Sequence, residues 1–190
     1  MSIQARKERE RAQREKLIIT AARELAEAEG WEAVTTRRLA ERVEYSQPVL
    51  YSHFKGKDAI MTAVALEGFG VMAEELDAAA RQVPDPAQAL ARISAAYVAF
   101  AEQRPALYDA MFRQSVDLPF ATPQAPATLH ASFNTIAAAI APHADGDDVG
   151  LLTETFWAAL HGLVTLMRGG RLPREYHDHR LALLLARFTK

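Results

Sequence analysis

Wherever this chain keeps a regular hydrophobic rhythm, the period is that of an α-helix. Ile18, Ala21, Ala22, Leu25 and Ala26 recur at three- and four-residue steps and form one apolar stripe. The same spacing returns in Ile60, Met61, Val64, Ala65, Phe69 and Met72, and again in Ile93, Tyr97 and Phe100. No segment alternates apolar and polar residues long enough to make a strand. An all-α fold follows. Glycine, proline and capping residues cut it into about nine helices.

The cuts carry most of the information. Gly30 ends the first stripe, where a residue with positive φ closes a helix, and Trp31 behind it reads as core filler. Thr35 is placed to cap a short second helix, TTRRLAERV, whose buried stripe is Leu39, Ala40 and Val43. Glu44, Tyr45, Ser46 and Gln47 break the pattern. Ser46 then caps a third helix of about two turns, QPVLYSHF, with Pro48 in the first turn, where a missing N–H costs nothing. Two short helices joined by so tight a turn are a helix-turn-helix. A long helix runs from Lys57–Asp58 to near Arg81, and further helices begin at Pro86 and Pro105. Residues 113–127, with Pro119, Pro123 and Pro126, read as a loop. Helices over about 128–141, 147–168 and 174–188 complete the chain. Two domains are expected, residues 1–60 around the helix-turn-helix and residues 61–190 a larger helical domain.

Composition narrows the chemistry. The 190 residues hold no Cys, which excludes disulfides, thiol catalysis, thiolate zinc sites and iron–sulfur clusters. The start, MSIQARKERERAQREK, is charged and unlike a signal peptide. No uninterrupted apolar run approaches the roughly 20 residues of a membrane span, so a cytoplasmic protein without a membrane partner is expected. The net charge of −2 hides an asymmetry: residues 1–57 carry 12 Lys+Arg against 9 Asp+Glu, whereas 58–190 carry 10 against 15. Within residues 1–16, a charged N-terminal extension, Arg6–Glu10, Glu10–Arg14 and Arg11–Glu15 sit at the i,i+4 spacing of a solvated helix. That extension reads either as a frayed helix end or as a basic arm touching phosphates.

Enzyme signatures are missing: there is no Gly-x-Ser-x-Gly, no phosphate-binding glycine loop and no His-Glu-x-x-His. His177 and His179 point apart on a helix, and Glu154 stands about 10 Å along the axis from His161. No catalytic residue, metal site or cofactor is called for.

Taken together, residues 17–66 resemble the DNA-binding domain of the TetR-like transcriptional regulators. The likeness runs through Ile18-x-x-Ala21-Ala22-x-x-Leu25, Gly30-Trp31, Thr35-x-Arg37-x-Leu39-Ala40, Ser46, Leu50-Tyr51-x-His53-Phe54 and Lys57-Asp58, in order and at the family's spacing. The resemblance implies that the third helix enters the major groove and reads base edges with its first residues. Gln47 is the candidate for a bidentate bond to adenine, while Pro48 and Val49 are suited to thymine methyls. Tyr51 and His53 match positions that in the family touch phosphate. Thr35, Arg37 and Lys57 would add further backbone contacts, and Thr36, Ser46 and Ser52 share that surface. Leu50 and Phe54 are read as core. The chain departs from the family pattern at Glu44, where a Gly is usual and a different turn closure is expected, and at Pro48, where a small residue is usual.

Farther on, Phe156-Trp157-Ala158-Ala159-Leu160-His161-Gly162, followed by GGRLP at 169–173, resembles the Trp-x-x-x-His-Gly subclass of the family's C-terminal domains. Trp157 and His161 share one helical face, which suits a ligand cavity wall or tight helix packing equally. An apolar effector cavity lined by Tyr97, Phe100, Tyr108, Met111, Phe112, Phe133, Trp157 and His161 is implied, fit for a small hydrophobic or aromatic molecule. The family likeness further implies a homodimer through helices 147–168 and 181–188, a palindromic double-stranded operator, and repression relieved by ligand through a population shift. The competing reading is a helical interaction module or small-molecule binder without specific DNA binding.

Overall fold

The protein is described from a computed structural model over residues 2–112, 118, 122 and 125–189. The loop read for 113–127 lies largely outside the described residues. Those described form nine α-helices, three single turns of 3-10 helix and no strand. The helices are α1 (Ile3–Glu29), α2 (Thr36–Arg42), α3 (Gln47–His53), α4 (Lys57–Ala80), α5 (Pro86–Gln103), α6 (Pro105–Phe112), α7 (Ala127–Ile140), α8 (Val149–Arg168) and α9 (His177–Phe188).

The chain divides into two compact units: Met1–Gly68 with Arg104–Leu118, and Phe69–Gln103 with Pro119–Lys190. In the first, the apolar stripe of α1 is the common wall. Ile18, Ala22 and Leu25 are buried with Leu39 of α2, Leu50 of α3 and Ile60 and Val64 of α4. Helix α6 joins this unit through polar ties as well as apolar ones. The Glu27 carboxylate accepts from the backbone N–H groups of Ala106 and Leu107 at 3.0 and 2.9 Å, satisfying two orphan donors at the start of α6. Trp31 is core filler, as its position suggested, and its indole N–H also donates to the Ala106 carbonyl at 2.8 Å. At Gly68 a Cβ would stand 2.7 Å from Met111 Sδ and 2.9 Å from Leu107 Cδ1, so a larger residue would have to displace these α6 side chains.

The short helices are capped unequally. Thr35 Oγ1 accepts from the Arg38 N–H at 3.3 Å, whereas Ser46 holds the N-cap position of α3 with its hydroxyl making no capping bond. The turn between α2 and α3 was expected to close in an altered way around Glu44. Instead Glu44 itself takes φ 57°, and the turn closes as a Schellman motif: Tyr45 N–H donates to Ala40 O and Glu44 N–H to Glu41 O. A non-glycine residue therefore sits in the left-handed region because the flanking hydrogen bonds and the burial of Val43 impose it.

The second unit packs α5, α7, α8 and α9 on one another, with the second half of α4 against α7 through the Ser132 hydroxyl and the Phe69 carbonyl. Asp148 caps α8 by accepting from Leu151 N–H at 2.9 Å. By length and composition α8 is long and apolar enough to cross a membrane. It escapes a search for uninterrupted apolar runs because Glu154 and His161 break the sequence there. Phe156, Leu160 and Val164 of this helix are buried inside the unit.

Glycine tolerates positive φ without the penalty a Cβ brings. Glu44→Gly is expected to raise the unfolding free energy by about 1 kcal/mol, read as a higher urea midpoint at unchanged slope.

Candidate functional site

Two places concentrate the sequence candidates, one in each unit. The first is the face of α2 and α3. Leu50 is fully buried and pins α3 to the unit, so the other side of this two-turn helix faces outward. Ser46, Gln47, Pro48, Val49, Tyr51 and Ser52 are all exposed, as are Thr35 and Arg37, while Thr36 is half-buried. Tyr51 stands 51% exposed with its hydroxyl 3.4 Å from Thr36 Oγ1, so it is no core aromatic, and the two hydroxyls mark the seam between the helices. Gln47, Pro48 and Val49 occupy the first turn of α3, the part that can enter a groove. These are the residues that the sequence pattern singles out.

Two further candidates are differently employed. His53 turns inward: its side chain is 6% exposed and its Nδ1 lies 3.4 Å from the Glu15 carboxylate of α1. Lys57 donates its ammonium to the Trp31 carbonyl at 2.6 Å, tying α4 to the connection after α1. Both brace the unit in this geometry rather than stand free on its surface. Periodicity could not reveal this, because neither partner shares an element with the residue it holds. Arg37 pairs with Glu41, Arg38 with Glu29 and Arg42 with Glu24. The Arg38 guanidinium holds the Glu29 carboxyl below its usual range, and the carboxylate in return raises Arg38. These pairs are exposed and contribute little to stability.

The second place lies on α5 and α8. Trp157 Nε1–H donates to the Tyr97 hydroxyl at 3.2 Å, that hydroxyl lies 3.2 Å from His161 Nδ1, and His161 Nε2 lies 3.3 Å from Thr165 Oγ1. An indole only donates, so the Tyr97 hydroxyl accepts from Trp157, and it shares a hydrogen bond with His161 Nδ1 as Nε2 does with Thr165. Burial pushes the His161 pKa down, and the charge of Arg168 adds to the effect. The Trp157 and His161 rings meet tilted, with centroids 5.7 Å apart, and are half-buried, whereas Tyr97 is only 1% exposed. Thr165 was missed in the sequence although it continues the same face at i+4 from His161.

Of the remaining cavity candidates, Phe100 is buried on α5 and Phe133 half-buried on α7 in this unit. Tyr108, Met111 and Phe112 belong to the first unit, where Tyr108 and Met111 are covered and the Tyr108 and Phe112 rings meet at 4.8 Å. A separate open groove of about 420 Å³ on the second unit is lined by Asp77, Pro84, Pro86, Asn134 and Thr135 among others, and by none of the sequence candidates. Gly162 has open space where a Cβ would go, so it serves no close packing within the protomer. No cluster of three metal-ligating side chains occurs among the described residues.

Comparison with known proteins now decides the family. Residues 18–64 match the model of bacterial regulatory proteins of the tetR family, and residues 89–188 match that of the tetracyclin repressor-like C-terminal domain. The chain belongs to the TetR family. TetR-family proteins are transcription regulators, not enzymes, with an N-terminal DNA-binding helix-turn-helix domain and a C-terminal ligand-binding domain. The Escherichia coli tetracycline repressor protein class C is 55% identical over 53 residues, 28% of this chain and 24% of that one. The chain's matches span about a quarter to a half of the length of its curated relatives. Among solved structures, a protein of unknown function from Rhodococcus sp. RHA1 superposes at a TM-score of 0.76 and 23% identity, covering 93% of this chain and 95% of that one. The Bacillus subtilis transcriptional regulator FadR, solved with stearoyl-CoA, superposes at 0.67 and 16% identity, covering 90% and 97%. At such identities the superpositions establish the fold alone.

An unfolded chain takes up the His161 proton near its ordinary value of 6.5, before the folded protein does. Stability should therefore fall as pH drops below about 6.5, and denaturant titrations should show His161→Gln losing less between pH 7 and pH 5 than the wild type.

Proposed function

We propose that this TetR-family protein is a cytoplasmic, ligand-responsive repressor that binds a palindromic operator as a homodimer and is released by a small hydrophobic or aromatic effector. The observation that carries the DNA-binding part is the exposed first turn of α3, with Gln47, Pro48 and Val49 held outward by the buried Leu50. Gln47 brings an amide whose donor and acceptor match adenine N6 and N7. Pro48 and Val49 bring apolar surface for thymine methyls. Ser46 stands beside them, and Thr35, Thr36, Arg37, Tyr51 and Ser52 surround this turn with groups that suit phosphate oxygens. Lys57 and His53 act in this reading by bracing the head, and reach phosphate only if they leave their internal partners.

Dimerisation is supported by apolar surface left uncovered on α8 and α9. Leu151 is 65% exposed, Leu166 41% and Leu183 63%, and α9 buries none of its residues. Ala158 and Gly162 of α8 and Ala182 and Ala186 of α9 are small and allow a second copy to approach closely. A two-fold pairing sets two recognition helices one DNA turn apart, about 34 Å, and so calls for a palindrome.

The effector reading rests on the Trp157–Tyr97–His161–Thr165 chain in the second unit and on its likeness to the Trp-x-x-x-His-Gly subclass. FadR was solved with stearoyl-CoA, a ligand with a long apolar part. Phe100 and Phe133 supply apolar wall in the same unit. Aromatic faces with one phenol and one neutral imidazole suit a mostly apolar molecule carrying a hydroxyl or carbonyl. Ligand favours a dimer whose helices no longer match the groove spacing.

Selection of bound sequences from random duplex DNA at moderate salt should return a palindromic consensus. Failure to enrich any sequence would overturn the repressor reading in favour of a module without specific DNA binding. On the selected operator, Gln47→Ala should relax discrimination at one base pair, by about 1–3 kcal/mol, while Tyr51→Ala should weaken binding to specific and random DNA alike. Light scattering at micromolar concentration should give twice the chain mass of 21.0 kDa. A monomeric mass would remove the homodimer.

A further inference from the structure

The DNA-binding head has a charge problem that its own helices do not solve. Residues 17–57, which contain α2, α3 and the core of α1, hold six cations and six anions. Four of those cations pair with carboxylates, Arg23 with Glu67, Arg37 with Glu41, Arg38 with Glu29 and Arg42 with Glu24, the Arg37 pair being open to solvent and so free to turn to phosphate. Lys57 is committed to the Trp31 carbonyl. Binding to duplex DNA draws its affinity chiefly from cations that displace condensed counterions, and a neutral head offers few.

The whole excess of positive charge lies in the arm that α1 extends beyond the core. Residues 3–16 hold six cations and three anions. The arm is helical from Ile3, about 21 Å long. Ser2 Oγ accepts from the Ala5 N–H, and Gln4–Glu8, Arg6–Glu10 and Arg11–Glu15 staple successive turns. This is a formed helix, not a frayed end. Its direction is set by contacts with the recognition helix: Arg11 donates to the Ser52 carbonyl at 3.4 Å, and Glu15 lies 3.4 Å from His53. The arm therefore leaves the core beside the last turn of α3, opposite to the end that carries Gln47.

One face of the arm is cationic. Arg14, Arg11 and Lys7 precede Ile18 by four, seven and eleven residues, so they prolong the line that becomes the buried stripe of Ile18, Ala22 and Leu25. All three are exposed. Lys7 and Arg14 make no hydrogen bond or ion pair among the described residues. The face of α1 that meets protein from Ile18 onward thus turns into a row of positive charge where the protein ends.

We propose that this row is a second DNA-contact surface, in which Lys7 and Arg14 neutralise backbone phosphates flanking each operator half-site and Arg11 anchors the arm to α3. The proposal rests on the reading of α3 as a recognition helix. The arm supplies affinity without reading sequence, and the first turn of α3 supplies discrimination at little electrostatic gain.

The test is the salt dependence of operator binding for wild type and for the double variant Lys7→Gln, Arg14→Gln, whose helical content is checked by circular dichroism. Each phosphate that is no longer neutralised should lower the slope of log K against log salt by about 0.9. Both protomers of the dimer carry the change, so four contacts are lost and the slope should be shallower by about 3.6, the variant's disadvantage at 0.05 M salt shrinking about 150-fold by 0.2 M. Its selected consensus should not change. Trimming the duplex to the ends of the half-sites should weaken the wild type and leave the variant nearly unaffected. An unchanged slope, or equal sensitivity to trimming, would overturn the arm proposal while leaving the repressor reading intact. A wild type that binds no duplex would bring down both.

Discussion

Burial of one face of α1 is the constraint on which the first unit depends. Ile18, Ala22 and Leu25 lie buried on the helix against which α2, α3 and α6 are assembled. Each is an aliphatic side chain covered almost completely, and truncating any larger one costs about 2–5 kcal/mol at such sites. Because α3 is only seven residues long, it has too little hydrogen bonding of its own to persist alone. It is a helix because Leu50 is held in that core. The outward face of α3 is consequently as rigid as α1 makes it.

The polar contacts refine this arrangement and explain why a small head can be definite in shape. Glu27 closes the N-terminus of α6, Lys57 closes the connection after α1, and the Schellman turn at Glu44 sets the angle between α2 and α3. Glu27 and the Schellman turn satisfy backbone groups that would otherwise be orphaned at a helix end, while Lys57 adds a second donor to a carbonyl that already accepts from the Val34 N–H. The cost appears in the charge balance. Arginines used for internal pairing leave the head neutral, and the positive charge is displaced to the helical arm, where it extends the protein surface beside α3.

In the second unit hydrogen bonds link Trp157, Tyr97, His161 and Thr165 in series, and burial together with the charge of Arg168 disfavours protonation of the imidazole. The half-buried position of Trp157 and His161 beside the covered Tyr97 means that this polar chain is built into the unit at its margin.

The amino-acid sequence alone determined the helices, their ends and the family. The 3.6 period, the capping residues and the Gly and Pro punctuation are local properties, and local physics decides them. The stripes from Ile60 to Met72 and from Leu39 to Val43 were identifiable as buried from spacing, and Leu50 from the family resemblance. Which side chains meet across elements was decided only by the tertiary structure. His53 reads in sequence as an exposed phosphate contact, but Glu15, thirty-eight residues earlier, draws it inward. Lys57 likewise finds a carbonyl twenty-six residues away. Glu44 pointed to a different turn closure, yet hydrogen bonding from both sides holds it at positive φ. Sequence spacing reports only the neighbours a residue has along its own helix, whereas the partners that commit a charge or a ring come from other helices, and only packing brings those together.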